Sequence, residues 1–423
     1  MRKNWLVAIT MIGLWYSESQ NTASLSLQEA YNLVEKNYPL IKDEALLNAL
    51  SEYNIELINK DRLPTLTLNG FGQLQTENVQ IGEPGSPVSV DAPLESYRAY
   101  IDANYNLYDG GFTKAKKQIE EAVLKVNQQG LKVTLRNLKD RINNLFFIIK
   151  LSRQQQVLLE TSINDIDTNI ESLQAGFDNG TVLESELSKL KVRKLELQSE
   201  DVRLQGDIKA YFGVINMLLG TRYAHTTTLT LPQEILVEET QQITRPEQQF
   251  YDFQKELLQA QESTIEASRK PKVSLFAQGG VGYPNPLNFS DISNATYALG
   301  GIRLNWDILD WGKAKQEREK LKIEIAQTEV DKETFEFDIT SRKKEYLEKI
   351  EALQGQLFND EKIVALQKDI LNQTEVQLQE GIINSNDYLI QVNAELSARQ
   401  QQELHRVQLQ QLQIEYLTLY GKL

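Results

Sequence analysis

The sequence predicts a mainly α-helical fold with a smaller β component, built as a duplicated chain. Residues 97–107 alternate apolar and polar side chains, which is the period of a strand with one apolar and one polar face. Residues 298–308 repeat this alternation. Each alternating segment leads into a glycine turn and then into a long stretch of helical sequence. The predicted plan is therefore a strand followed by a very long helix, twice.

The composition excludes several classes of site. The chain has 423 residues, a formal net charge of −14 and no cysteine, and its only histidines are His225 and His405. So acidic a protein is a poor nucleic-acid binder, and we expect no nucleic-acid partner. No nucleophile elbow, phosphate loop or metal-ligand spacing is present. We therefore expect no enzymatic activity, no cofactor and no metal, with His405 a solvated surface residue.

The N-terminus has the pattern of a secretory signal peptide. Arg2 and Lys3 precede an apolar run from Trp5 to Tyr16, and small polar residues follow. We expect residues 1–19 to be removed, with the cleavage position approximate. No other stretch approaches about 18 consecutive apolar residues, so the sequence predicts no membrane-spanning helix.

Landmark residues recur at constant offsets along the chain. Two prolines that flank a helix recur 207 residues later, as Pro39/Pro64 and Pro246/Pro271. The next block recurs at an offset of 201, as Asp109/Asp310, Gly111/Gly312, Lys114/Lys315, Gly180/Gly381 and Gly220/Gly421. The sequence thus predicts a first structural repeat at 25–222, a linker at 223–243 and a second repeat at 244–423.

Each repeat has the same predicted order of elements. A helix comes first, at 27–62 in one repeat and 247–269 in the other, and each ends before a proline. A β-hairpin follows at 64–108 and 271–309, with strands of about 10–12 residues, the length that a tilted strand needs to cross a bilayer. A long helical hairpin then occupies 110–221 and 311–422. Its turns are predicted near Gly180 and Gly381.

Apolar residues in the long helices follow a sustained 4-3-4-3 spacing. This heptad pattern predicts left-handed supercoiling against neighbouring helices. In the first helix the stripe comprises Leu131, Leu135, Leu138, Ile142, Leu145, Ile149, Ser152, Gln156, Leu159, Ile163, Ile166, Ile170 and Leu173. A helix of this length measures about 100 Å, which is too long for a compact domain.

Four strands cannot close a barrel, and an open sheet would leave unpaired edges. Three chains would supply twelve strands and a ring of helical rods that continues them. We therefore expect self-association into a trimer whose polar interior serves as a passive conduit.

The chain resembles the TolC-type outer-membrane efflux proteins of Gram-negative bacteria over essentially all of its predicted mature length. The resemblance rests on the duplicated plan, the flanking prolines, the strand-to-helix joints YDGG at 108–111 and LDWGK at 309–313, and the glycine-then-acid pattern at each helical turn. It implies a homotrimer with a 12-stranded transmembrane β-barrel in the outer membrane and an α-helical barrel that places most of the chain in the periplasm. It also implies a periplasmic adaptor (membrane fusion) protein and an inner-membrane transporter as partners, in a tripartite efflux or type I secretion system.

The same resemblance places a gate at the second helical turn. In the family an acidic pair lies six and nine residues beyond the turn glycine. Asp387 and Glu186 match the first acidic position after Gly381 and Gly180, whereas Ile390 and Lys189 occupy the second. The resemblance therefore implies periplasmic gate candidates at Asp387 and Glu186, and tip or adaptor-docking positions at Gly180 and Gly381. The alternative is that these acids only cap or solvate helix ends.

Four aromatic residues are placed near the predicted strand ends: Tyr105, Tyr108, Trp306 and Trp311. We expect them to form an interfacial aromatic girdle in contact with outer-membrane lipid, with ordinary strand packing as the alternative. At the level of the whole chain, a periplasmic coiled-coil adaptor or scaffold without a channel remains the alternative to an exit duct.

Overall fold

The computed structural model describes residues 24–78, 80–81, 90–91, 93–232, 243–288 and 290–423. The predicted signal peptide, part of the predicted linker and most of the first hairpin loop lie outside the described residues.

The first run of elements begins with a short strand and ends with a helical hairpin. Its members are β1 (Ser24–Ser26), α1 (Leu27–Asn37), a 3₁₀ turn (Pro39–Ile41), α2 (Lys42–Lys60), β2 (Thr65–Leu74), β3 (Gln80–Ile81), β4 (Val90–Asp91), β5 (Glu95–Tyr108), α3 (Phe112–Asp178) and α4 (Glu184–Leu219). Helix α3 is continuous over 67 residues.

The second run repeats this order in a simpler form. After β6 (Thr228–Thr230) come α5 (Pro246–Ser268), β7 (Lys272–Tyr283), β8 (Ala295–Asn305), α6 (Lys313–Gln379) and α7 (Ser385–Leu419). Helix α6 is also 67 residues long, and it begins and ends 201 residues after α3.

Two boundaries differ from the sequence prediction. The helix predicted at 27–62 is interrupted, because Tyr38 before Pro39 takes an extended conformation (φ −65°, ψ 134°) that ends α1. The second hairpin, predicted to reach residue 309, ends in the structure at Asn305. The pairing of β1 with β6 was not predicted, since each is only three residues long.

The four longer strands form one antiparallel sheet in the order β2-β5-β7-β8. Its register aligns most of the aliphatic residues of all four strands on one face: Leu68 pairs with Ile101, which pairs with Gly279, which pairs with Ala298. The other face carries threonine, asparagine, glutamine and arginine side chains, together with Phe71, Tyr100, Phe276, Tyr297 and Leu299. The two hairpins are neighbours through β5 and β7, and β2 and β8 are the free edges of the sheet.

The helices form a layer with a buried heptad core. Most of the predicted stripe of α3 is buried, and Ile142, Ile149, Leu159 and Ile166 are fully so. Helix α3 packs against α4, α5 and α7, while α6 packs against α5 and α7. Helices α2 and α4 therefore lie at one edge of the layer and α6 at the other. None of the described helices has the length and apolar character needed to cross a membrane.

Candidate functional site

Two regions of the molecule carry exposed groups without an obvious structural role: the turns of the helical hairpins and the two faces of the sheet. At the turns, Gly180 (φ 74°) and Gly381 (φ 70°) both adopt the left-handed conformation that suits glycine. Each glycine N–H donates to a carbonyl at the end of its preceding helix, Phe177 at 2.9 Å and Leu378 at 3.0 Å. The two turns therefore have the same construction.

Glu186 connects the two turns. Its Oε2 accepts a hydrogen bond of 2.8 Å from the backbone N–H of Ser385, the first residue of α7, and its Oε1 accepts one of 2.8 Å from Lys189 Nζ. The bond from Lys189, together with that from Ser385, holds the pKa of the Glu186 carboxyl below its usual range despite partial burial. The carboxylate of Glu186 thus satisfies a backbone donor of the other helical hairpin.

Asp387 is exposed in the first turn of α7. The residue that caps this helix is Asn384, whose Oδ1 accepts from the N–H groups of Asn386 at 2.9 Å and Asp387 at 3.2 Å. The alternative in which the Asp387 side chain caps the helix is therefore wrong. No hydrogen bond or ion pair to its carboxylate is found in the described part of the chain.

A buried polar contact lies behind the turns, and the sequence pattern did not reveal it. Asn169 Nδ2 in α3 donates to the hydroxyl of Tyr388 at 2.8 Å and to Glu375 Oε1 at 3.2 Å. Burial raises the pKa of Tyr388. This contact joins the first helical hairpin to the second close to their ends.

A groove of about 550 Å³ lies between α4 and α7 beside the turns. Its lining combines the apolar Val192, Leu389 and Ile390 with polar and charged residues that include Lys189 and Arg193. The groove places Ile390 and Lys189, the two departures from the family pattern, on one surface.

The sheet presents an exposed apolar face. Residues from all four strands contribute to it, and the exposed large side chains include Leu66, Leu68, Leu74, Tyr97, Ile101, Tyr105, Leu107, Leu275, Val281, Ile302 and Leu304. Leu68 is 79% exposed and Ile302 is 70% exposed, values that are unusual for leucine and isoleucine arranged on one continuous face. The opposite face is richer in polar side chains, so the two faces of the sheet differ in character.

The four predicted girdle aromatics have different positions. Tyr105 lies within β5 on the apolar face and Tyr108 is the last residue of that strand. Trp306 lies one residue beyond β8, and its Nε1 donates to the carbonyl of Arg269 at 2.9 Å. Trp311 lies in the turn before α6, has a positive φ of 52° and is 88% exposed. All four are therefore grouped at the end of the sheet that adjoins the helices.

The strand-to-helix joints are held by an aspartate in each half. Asp109 Oδ1 accepts from Gly111 N–H at 2.9 Å and its Oδ2 from Thr113 N–H at 2.8 Å. Asp310 accepts in the same way from Gly312 at 3.0 Å and from the first turn of α6 at 3.2 Å. These contacts fix the direction in which each long helix leaves the sheet.

No group of histidine, cysteine and carboxylate side chains able to hold a metal ion occurs within the described residues. The side chain of His405 in α7, predicted to be solvated, instead contacts α6, where its Nδ1 is 2.6 Å from Asp360 Oδ2. Its partner is 45 residues away in the sequence, so the local pattern of glutamine and glutamate did not indicate the contact.

No protein-family model matches the chain, and no curated protein matches it in sequence. Solved structures do match its fold. The outer membrane protein VceC of Vibrio cholerae superposes with a TM-score of 0.64 at 13% identity, covering 93% of this chain and 96% of that one. The Campylobacter jejuni CmeC outer membrane channel gives 0.63 at 12% identity, covering 94% and 85%. The Neisseria gonorrhoeae MtrE outer membrane channel, in its open state, gives 0.61 at 13% identity, covering 93% and 88%.

Proposed function

We propose, from the fold that this chain shares with solved outer-membrane channels, that it is the outer-membrane exit duct of an efflux or type I secretion system. Three copies would join their sheets into a closed twelve-stranded wall within the outer membrane, and their helices would continue the duct into the periplasm. The duct carries out no chemistry and opens a passive path for solutes delivered from the inner membrane.

The observation that carries this proposal is the two-faced sheet at one end of a layer of helices about 100 Å long. Burying an exposed leucine side chain stabilises by about 1.5–3 kcal/mol, so an apolar face on four strands requires a partner. Lipid is the partner that suits a continuous apolar face opposite a polar one. A helical scaffold without a channel does not account for this face.

The edges of the helical layer support self-association. In α6, Ile323, Val330 and Phe337 form an exposed stripe at heptad spacing. The residues 201 positions earlier in α3 are Ala122, Gln129 and Arg136, and all three are buried in the same chain. Gln129 Nε2 donates to the carbonyl of Pro246, the first residue of α5, which packs along α3. Helix α2 precedes the first hairpin as α5 precedes the second, so the two helices are equivalent in the two repeats. Since α5 packs against α3, we expect α2 of the next copy to pack against the exposed stripe of α6.

Helix α2 presents a matching surface at the opposite edge. Its exposed apolar residues follow the 4-3-4 spacing of a coiled-coil seam and are Leu46, Leu50, Tyr53 and Leu57. One copy therefore offers α6 and the next offers α2, which is a head-to-tail contact that can close into a ring. The same reasoning supports a division into repeats at 25–222 and 244–423.

The hairpin turns are the proposed periplasmic tip. We place Gly180 and Gly381 at this tip, where the groove between α4 and α7 offers an adaptor protein both apolar and basic side chains. Asp387, exposed and unpaired among the described residues, is the proposed gate carboxylate and would form a ring of three charges that favours cations. Glu186, whose carboxylate accepts from the N–H of Ser385 in the same turn as Asp387, is the second gate candidate.

Reconstitution into planar lipid bilayers tests the function. Purified mature protein should give stepwise conductance, and Asp387→Ala should weaken block by divalent cations without abolishing the steps. A water-soluble monomer that leaves the bilayer electrically silent would contradict the proposal. Conductance that does not respond to Asp387→Ala would retain the duct and remove Asp387 from the gate.

A further inference from the structure

The polar face of the sheet has an unusual charge for so acidic a protein. On the described strands its residues that are charged at pH 7 are Arg98, Asp102, Lys272 and Arg303, identified by their register with the other polar-face positions. Three cations and one anion give this face a net charge of +2, whereas the whole chain carries −14. The face that would enclose the duct therefore carries a charge opposite in sign to that of the whole chain.

Aromatic rings hold the two arginines against the sheet. The guanidinium of Arg98 in β5 lies 5.6 Å from the centroid of the Phe71 ring, its register partner in β2. The guanidinium of Arg303 in β8 lies 4.9 Å from the centroid of the Phe276 ring in β7. A ring face attracts a guanidinium without neutralising its charge.

A glycine in β8 makes room for the aromatic ring of Phe276. Phe276 pairs with Gly301, and a Cβ at that position would lie 3.0 Å from the nearest ring atom. The ring can therefore lie close to the backbone of β8 and support Arg303 two residues further along. Neither arginine forms an ion pair with any described residue, so both charges remain available to solutes.

The cations occupy two levels of the sheet. Arg98 lies towards the hairpin loops, whereas Arg303 lies near the helices, where it pairs through Ser274 with Asn106. Eight residues along β5 separate these levels, a distance of about 27 Å. Asp102 lies between them, and its Oδ2 accepts a hydrogen bond of 3.1 Å from Asn104.

We propose that Arg98 and Arg303 form two cationic rings that make the strand-enclosed part of the duct favour anionic solutes. The inference rests on the proposed function, since the rings exist only when three copies close the sheet. Each ring then contains three guanidiniums, which remain charged at any working pH. Like charges that line a narrow low-dielectric passage raise the local concentration of the opposite ion.

The test is the reversal potential of single channels in a potassium chloride gradient at low ionic strength, where screening is weak. The double variant Arg98→Gln/Arg303→Gln should lower the chloride-to-potassium permeability ratio by at least about twofold relative to wild type. Asp102→Asn removes the opposite charge from the same face and should raise that ratio. The charge-conserving Arg98→Lys/Arg303→Lys should remain close to wild type.

The outcomes separate the two proposals. A wild-type protein with no conductance would end the proposed function and the inference with it. Channels whose permeability ratio moves in neither direction would retain the duct and overturn the role of the arginines. If Arg98→Gln/Arg303→Gln does not assemble, the other two variants decide. A raised chloride-to-potassium permeability ratio in Asp102→Asn, with the ratio of Arg98→Lys/Arg303→Lys unchanged, supports the inference. An unchanged ratio in Asp102→Asn contradicts it.

Discussion

At the scale of single residues, Glu186 shows how the two halves of the chain are connected at the hairpin turns. The first N–H groups of a helix have no partner within the helix, and a carboxylate there also interacts favourably with the helix dipole. Glu186 supplies that carboxylate to α7 from the beginning of α4. The two turns are therefore linked by a charge-assisted hydrogen bond that protonation of Glu186 would weaken.

Glu186→Gln should weaken this link. Hydrogen bonds to charged groups contribute about 1.5–3 kcal/mol, so amide exchange of Ser385 should accelerate at least about tenfold. Glu184→Gln is the matched control, because Glu184 also lies in the first turn of α4 and no contact of its side chain is found among the described residues. Equal exchange at Ser385 in the two variants would contradict the assigned role.

The same contact has a defined pH dependence. The pKa of Glu186 is lower in the folded protein than the ordinary glutamate value of about 4.3. The stabilisation is therefore complete above that ordinary value and is lost as the pH falls through the lower, folded-state value. The difference in thermal stability between wild type and Glu186→Gln should accordingly decrease at acidic pH.

Resemblance and spacing placed Glu186 and Asp387 at the turns, but they could not reveal what each side chain contacts. The backbone partner of Glu186, Ser385, is 199 residues away, and Asp360, the partner of His405, lies on another helix. Such contacts depend on how the helical hairpins pack, which no local pattern contains. The stacking of Arg303 on Phe276 also depends on strand register, although alternation did predict the strands.

At the scale of elements, periodicity predicted most of the architecture. The heptad stripe of α3 is buried, and the strand alternation corresponds to the two faces of the sheet. Phe146 and Phe147 are also buried, although neither belongs to the stripe, and both lie in one core cluster with residues of α1, α4 and α7. The end of β8 was placed too late because the alternation continues to Ile308 after the backbone leaves the sheet.

The two faces of β2 allow a matched pair of substitutions. Leu68→Lys places a charge on the apolar face, whereas Thr67→Lys places the same charge on the polar face opposite Asp102. A lysine facing the middle of the bilayer costs about 2–4 kcal/mol. Leu68→Lys should therefore reduce the heat-labile trimer on gels, while Thr67→Lys should not. Similar behaviour of both variants would show that lipid does not contact this face.

At the scale of the whole molecule, the lack of cysteine makes the proposed ring directly measurable. Phe250 in α5 contacts Gly130 in α3, and Lys125 lies over the ring of Phe253. Leu46 in α2 lies 207 positions before Phe253, and Ala326 in α6 lies 201 positions after Lys125. If the contact between copies repeats the contact within one chain, Leu46 of one copy lies close to Ala326 of the next. That pair is therefore suited to cross-linking.

Leu46→Cys/Ala326→Cys should form linked dimers and trimers with a short bis-maleimide, and no larger species. Either single substitution should give no ladder. Leu46→Cys/Leu366→Cys is the distance control, since residue 366 lies about 60 Å further along α6. A ladder that continues beyond three copies would exclude the closed trimer.

The pairing of β5 with β7 has a consequence for how the molecule is made. The sheet of each chain has two free edges, β2 from the first half and β8 from the second. When two chains join, one β2 and one β8 pair with each other, so the pair still has two free edges. In lipid every unpaired backbone group costs several kcal/mol, and only the final joining step removes both edges. Assembly should therefore be cooperative, with monomers and complete rings present and the half-built pair rarely accumulating.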